Sequence, residues 1–249
     1  MIMRPELSWL TARPIAHRGL HVRSSGVVEN SLGAFSAAIA GNYTIECDLQ
    51  ISRDGEAVMF HDDTLDRVME ASGLVKSFTV AELKAMRFRH SAERIPTLGE
   101  LLSLVDGKVP LVIELKPQWD RDRSLAVRTL ELLSRYRGLH CVMSFDPDVI
   151  AAIKELSPGT LRGMVSDTAQ DDSYDPLPAR VRQELRTLGY LDRTAPDFLS
   201  LYYRSLPWAP VAALRARGMP IISWTIRSPQ QARDALRYSD QITFESFLP

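Results

Sequence analysis

The chain has 249 residues, 45% of them apolar, with 30 Lys and Arg against 31 Asp and Glu for a formal net charge of −1. That apolar content supports a real core and excludes disorder, and the even charge leaves no polybasic footprint for nucleic acid or an anionic membrane.

Strand-like apolar runs are expected at 13–17, 43–49, 56–61, 109–116, 139–145, 160–165, 197–202, 220–226 and 240–244. Helix starts are marked between them. Thr79-x-x-Glu82, Thr97-x-x-Glu100 and Ser228-Pro-x-Gln231 read as capping boxes, and Asp146-Pro147 as an N-cap followed by Pro at N1. Strands alternating with helices imply βα units and a parallel sheet. Nine strands are one too many for a (β/α)8 TIM barrel, and the surplus can be located. Only residues 50–55 separate the second strand from the third, and they contain Asp54-Gly55. A parallel crossover needs about a dozen residues, whereas Asp-Gly favours a tight turn, so 49–61 is expected to be a β-hairpin at the barrel mouth. Without its return arm, eight strands remain for an α/β fold, a single TIM-barrel domain over 1–249. Residues 62–96 are polar with one short helix at 79–87 and read as a small inserted cap. Residues 168–196 read as a polar loop that becomes a helix from about 178.

Cys47 and Cys141 are too few for a disulfide framework and are expected as buried free thiols of a reducing compartment. No 18-residue apolar stretch exists, so neither a membrane span nor stable membrane association is expected. Met1 to Ala12 lack the apolar segment and cleavage site of a leader, which points to the cytoplasm.

Barrel active sites sit at the C-terminal ends of the strands. Those ends carry His17-Arg18-Gly19, Glu46-x-Asp48, His61-Asp62 and Glu114-x-Lys116. Side chains alternate along a strand, so Glu46 and Asp48 share a face, as do Glu114 and Lys116, and Cys47 and Leu115 face the apolar layer. Lumenal charges are costly unless compensated. Three carboxylates at one mouth suit a hard divalent cation, Ca²⁺ or Mg²⁺, and two imidazoles near it suit acid–base work at neutral pH. Arg18 and Lys116 supply charge for an anion such as phosphate. The competing reading makes Glu46 and Asp48 a buried ion pair with Arg18 or Lys116. Trp224 is a candidate for substrate contact. His21, His90 and His140 read as structural, Glu29 and Asn30 as bracing Arg18 and capping the next helix, and Asp62 as orienting its neighbours.

IAHRG at 15–19, EN-S at 29–31, AF at 34–35, IECDLQISRDGEAVMFHDDTLDR at 45–67, T-x-x-EL at 79–83, IPTLGELL at 95–102 and IELKP at 113–117 together resemble the glycerophosphodiester phosphodiesterase family. The likeness is dense over 13–117 and thin afterwards. It implies metal-dependent hydrolysis of glycerophosphodiesters to sn-glycerol 3-phosphate and an alcohol. His17 and His61 match the catalytic pair, Glu46, Asp48 and Glu114 the metal ligands, and Arg18 and Lys116 the phosphate contacts. The mechanism implied uses the substrate's 2-hydroxyl as first nucleophile. Two departures stand out. Arg227 follows Trp224-Thr-Ile where relatives often carry Asn, and Gln241-Ile-Thr-Phe-Glu-Ser-Phe replaces a Gly-Ile-x-Thr-Asp-x-Pro ending. Two other functions compete: a lysophospholipase D-type phosphodiesterase with the same catalytic residues, and a non-catalytic phosphodiester-binding protein.

Overall fold

The apolar runs form strands in a computed structural model that describes residues 6–22 and 26–249. Residues 1–5, part of the stretch read for a leader, lie outside the described residues. The strands are β1 (Ile15–Ala16), β2 (Thr44–Ile51), β3 (Ala57–Met59), β4 (Leu111–Leu115), β5 (His140–Ser144), β6 (Arg162–Ser166), β7 (Phe198–Tyr202), β8 (Ile221–Ile226) and β9 (Gln241–Phe244). Between them run α1 (Leu32–Ala40), α2 (Val80–Ala85), α3 (Leu98–Val105), α4 (Ser124–Leu133), α5 (Pro147–Leu156), α6 (Ala179–Arg186), α7 (Leu191–Thr194), α8 (Ala209–Arg215) and α9 (Pro229–Ala235).

Eight strands pair in parallel, and β1 bonds to both β2 and β9, so the sheet closes into a TIM barrel. The ninth is the surplus arm: β3 runs antiparallel to β2, with Leu49 opposite Met59 and Ile51 opposite Ala57. Gly55 turns the hairpin at φ 80°, and Arg128 on α4 clamps its tip through two bonds to Glu56, of 2.9 and 2.7 Å. The first strand is shorter than expected. Past Ala16 the chain turns left-handed at Arg18 and Gly19, which ends the ladder.

Alternation sorts the core into two layers. Ile15, Val112, Cys141, Met143, Val165, Phe198 and Ile222 fill the lumen with Leu10, which sits on a 3-10 turn at Ser8–Leu10. Cys47, Leu49, Ile113 and Leu115 pack outward against Phe35, Leu101, Ile150 and Ile153 of the surrounding helices. Both cysteines are buried free thiols. Residues 62–96 carry α2 and build their own cluster of Leu65, Met69, Val75, Leu83, Phe88 and Ile95 beneath Val58 and Phe60 of the hairpin. No helix among the described residues is long and apolar enough to cross a membrane.

The capping boxes at Thr79 and Thr97 form in full. At α9 Ser228 accepts from Gln231 N, but Gln231 turns its Oε1 to the Arg227 N–H instead of closing the box. The cap of α1 is Ser31 rather than Asn30, because Asn30 is left-handed at φ 55° while Ser31 is extended. Fully buried, Ser31 Oγ accepts from Ala34 N (3.2 Å) and donates to Val28 O (2.7 Å). Ser31→Ala should therefore lower unfolding stability by about 1–2 kcal/mol, read as a lower denaturant midpoint at unchanged m.

Candidate active site

The expected site residues meet at one mouth of the barrel. His17, Arg18, Glu46, Asp48, His61, Glu114, Lys116 and Trp224 line a pit of about 100 Å³, joined by Phe145 and Ser200.

His17 leaves β1 on the left-handed turn. Gly19 is required there, since a Cβ at φ 77° would lie 2.9 Å from the backbone and side chain of Ala34. The turn points the Arg18 N–H at Glu46 Oε2 (2.9 Å) and the Gly19 N–H at Glu46 O (3.1 Å). β2 and β4 lie in register with Asp48 opposite Glu114, so one lumenal face carries all three carboxylates. Their oxygens lie within 4.8 Å of one another, and each residue is at most 6% exposed.

These carboxylates are compensated unequally. Lys116 Nζ is 2.7 Å from Glu114 and 3.5 Å from Asp48, and Arg18 Nε is 3.3 Å from Asp48. Asn30 adds a bond to Asp48 Oδ2 (2.9 Å) and accepts from its N–H. Burial alone would raise Asp48, but the charges of His61, Lys116 and Arg18 outweigh it and hold the carboxyl well below its usual range. Among the described residues, Glu46 accepts a hydrogen bond only from the Arg18 N–H. Burial first, then the charges of Asp48 and Glu114, push it well above the ordinary carboxylate value. The ion-pair reading of Glu46 and Asp48 therefore accounts for Asp48 and leaves Glu46 without a side-chain cation. An all-oxygen, three-carboxylate donor set short of positive charge fits a hard divalent cation.

Each imidazole is held by its Nδ1. His17 Nδ1 lies 2.6 Å from Glu245 Oε2, and His61 Nδ1 lies 2.6 Å from Asp62 Oδ1. Arg67 braces Asp62 (2.6 Å) and also Glu29, which in turn holds Arg18 (2.6 Å). Burial lowers His17 to about 4, against the opposing pull of Glu245. Glu29, despite burial, is lowered to about 2 by Arg67 and Arg18. Asn30 holds Arg18 O through its backbone N–H (2.9 Å), as the sequence suggests, and its side-chain amide also braces Asp48. Trp224 donates to Ser200 O (3.1 Å) and packs edge-on against Phe145 at 5.5 Å, so it forms a fixed wall.

Sequence reasoning missed Glu245. Its signal is present in the sequence, because Glu245 directly follows β9 and so stands at a strand end like the other site residues. His90 is exposed, and His140 bonds Gly138 O (2.8 Å) away from the pit. His21, read as structural, stands beside Glu245. A cleft of about 700 Å³ extends from His61 past Gln50, Lys76, Gln118, Trp119 and Tyr174.

On this fold, a mouth that sets Arg18 and Lys116 beside a buried carboxylate trio is the setting in which comparisons with known proteins place an enzyme of the phosphoric diester hydrolase class. Residues 17–241 match the glycerophosphoryl diester phosphodiesterase family, well beyond the stretch of dense likeness. The chain is 29% identical over 222 residues to a glycerophosphodiester phosphodiesterase of Caldanaerobacter subterraneus, covering 85% of this chain and 84% of that one. Among solved structures it superposes on an Oleispira antarctica phosphodiesterase in complex with the product sn-glycerol 3-phosphate, with TM-score 0.76, 25% identity and 93% and 92% of the two chains covered. A Thermotoga maritima glycerophosphodiester phosphodiesterase gives TM-score 0.70 at 26% identity, covering 92% of each chain. The chain belongs to the glycerophosphoryl diester phosphodiesterase family.

Proposed function

We propose that the protein hydrolyses glycerophosphodiesters to sn-glycerol 3-phosphate and an alcohol, with one Ca²⁺ or Mg²⁺ on Glu46, Asp48 and Glu114. The observation that carries this reading is Glu46, a buried carboxylate pushed upward beside two others and answered by a single backbone N–H. The product in the Oleispira neighbour supports the assignment of sn-glycerol 3-phosphate. When bound, the cation neutralises charge building on the phosphate oxygens.

The side chains supply the proton transfers. With Nδ1 held by Glu245 and its pKa lowered, His17 is neutral at neutral pH and presents Nε2 as the base. It takes the proton of the substrate's 2-hydroxyl, whose oxygen attacks phosphorus. His61, its Nδ1 held by Asp62, gives the proton on Nε2 to the departing alcohol oxygen. Water then opens the cyclic glycerol phosphate with the two roles reversed, restoring both rings. Arg18 and Lys116 grip the phosphate, and Trp224 walls the pit. The wide cleft beside His61, lined by Gln50, Asp63, Lys76 and Gln118 together with Leu74, Trp119, Phe145 and Leu177, gives the departing alcohol room.

Glycerophosphocholine hydrolysis, followed with and without EDTA and after Ca²⁺ or Mg²⁺ add-back, tests this. Release of sn-glycerol 3-phosphate that stops with EDTA and returns with the cation is expected. Unchanged turnover in EDTA removes the metal, and failure to cleave any glycerophosphodiester removes the reaction.

A further inference from the structure

A second group of metal-competent donors lies beside the carboxylate trio and shares no residue with it. His17 Nδ1, His21 Nε2 and a Glu245 oxygen lie within 4.8 Å of one another. Glu245 Oε2 is the hub, 2.6 Å from His17 Nδ1 and 3.6 Å from His21 Nε2. The second distance is too long for a hydrogen bond, and His21 Nε2 is a buried nitrogen with no hydrogen-bond partner among the described residues. A tetrahedral zinc centre with bonds of about 2.0–2.2 Å separates its donors by roughly 3.3 Å. The two distances observed here bracket that value. The third separation, between the two imidazole nitrogens, is at most 4.8 Å, and an ion would replace the short His17–Glu245 hydrogen bond.

The surroundings also suit an ion. Arg227 Nε holds the other oxygen, Glu245 Oε1, at 2.7 Å, leaving Oε2 as a single, fixed donor. The positive charge of Arg18 next to His17 is already shared between Glu29 and Asp48. His21 and Glu245 open on a cavity of about 830 Å³, walled by Leu20, Arg227 and Phe247, which gives an ion a path from solvent. Both departures noted in the sequence, Arg227 and the Glu245 ending, meet at this point.

Two imidazole nitrogens and one carboxylate oxygen are the donors of a borderline transition ion, with a fourth position left for water. Hard Ca²⁺ and Mg²⁺ prefer the all-oxygen trio. We infer that His17, His21 and Glu245 form an inhibitory site for Zn²⁺, separate from the Ca²⁺ or Mg²⁺ site. Binding rests on the donor geometry alone, and inhibition rests on the role of His17 proposed above.

The inhibitory step balances without a further reactant. In the metal-free ring the proton sits on Nδ1, donated to the Glu245 carboxylate, and Nε2 carries the lone pair. When Zn²⁺ takes the Nδ1 lone pair, the neutral ring keeps its one proton on Nε2. Nε2 becomes a donor and can no longer accept the substrate's proton.

The test titrates Zn²⁺ into the Ca²⁺-saturated wild-type enzyme by calorimetry, and separately follows glycerophosphocholine turnover. We expect one Zn²⁺ site that Ca²⁺ does not displace, and at least a tenfold fall in turnover at saturation. His21→Ala should weaken Zn²⁺ binding by about tenfold or more, and should raise the inhibiting Zn²⁺ concentration in step when measured against the variant's own uninhibited rate. His21→Gln, which keeps the side chain's polarity, should do the same if the alanine variant is poorly folded. Glu46→Gln should retain the Zn²⁺ heat although its turnover is impaired, so the calorimetry reads the site even if the proposed reaction fails. Unchanged Zn²⁺ affinity in both His21 variants overturns the site, as does binding that Ca²⁺ displaces or Glu46→Gln abolishes. Zn²⁺ binding that depends on His21 yet leaves turnover intact overturns its inhibitory role.

Discussion

His17→Ala and His61→Ala should each lower kcat by about 10²–10⁴-fold while still binding Ca²⁺ or Mg²⁺ in calorimetry. The expectation follows from geometry: both rings are fixed through Nδ1, leaving Nε2 as the reactive atom, and neither ring belongs to the carboxylate trio. The pH–rate profile of the wild type should be bell-shaped, with each variant losing one limb. His17→Ala should remove the acid limb, since the ring is the base and is lowered by burial to about 4. Loss of cation binding in either variant would move that imidazole into the metal shell. The same shift carries a stability consequence. The folded pKa of His17 lies below the ordinary imidazole value of 6.5, so the unfolded chain binds the extra proton between them. Stability should fall as pH drops from 6.5 toward 4, by up to about 3 kcal/mol from this group at 1.36 kcal/mol per pKa unit. His17→Ala should flatten that part of the denaturation-versus-pH curve.

Glu46→Gln should lose metal affinity and turnover together, the second large effect. The substitution keeps shape and removes the one carboxylate that Arg18 and Lys116 do not pair with through their side chains. Without a cation, Glu46 is the group most strained by its neighbours, so the amide should be tolerated in the apo protein and should leave its melting temperature unchanged or higher. Added Ca²⁺ should raise the wild-type melting temperature through binding to the native state alone and should raise that of Glu46→Gln much less. Equal Ca²⁺-induced shifts in the two proteins would exclude Glu46 from the cation site.

The barrel and most of its mouth were legible in the sequence for a specific reason. Strand ends are local features, and Asp54-Gly55 inside a six-residue gap forbids a crossover without reference to the rest of the chain. Glu46, Asp48, Glu114 and Lys116 follow from two-residue alternation on strands whose burial is plain. What stayed hidden depends on backbone twist or on distant neighbours. Asn30 and Ser31 are both good helix caps by chemistry, and only the left-handed φ of Asn30 turns its amide to Asp48 and leaves the cap to Ser31. Arg67 could have been any exposed arginine of the cap until folding laid it across Glu29 and Asp62. α7 has four residues and no capping side chain to announce it. Glu245 stands at a strand end that the sequence shows, but its match to His17 is fixed by the register in which β9 closes against β1, with Ala16 opposite Phe244.

The bond between His17 and Glu245 joins residues 228 positions apart. It therefore ties the chemistry to the timing of synthesis. A chain that has emerged only through β8 lacks Glu245, so its first imidazole has no anchor. The anchor arrives when β9 docks and the ring of strands is sealed, the most non-local and hence slowest kind of contact to form. On the roles proposed above, such a chain would keep the carboxylate trio and lack the group that orients its base. The seam between β1 and β9 thus serves the proposed site as well as the fold: closing the barrel is also what completes the setting of its base.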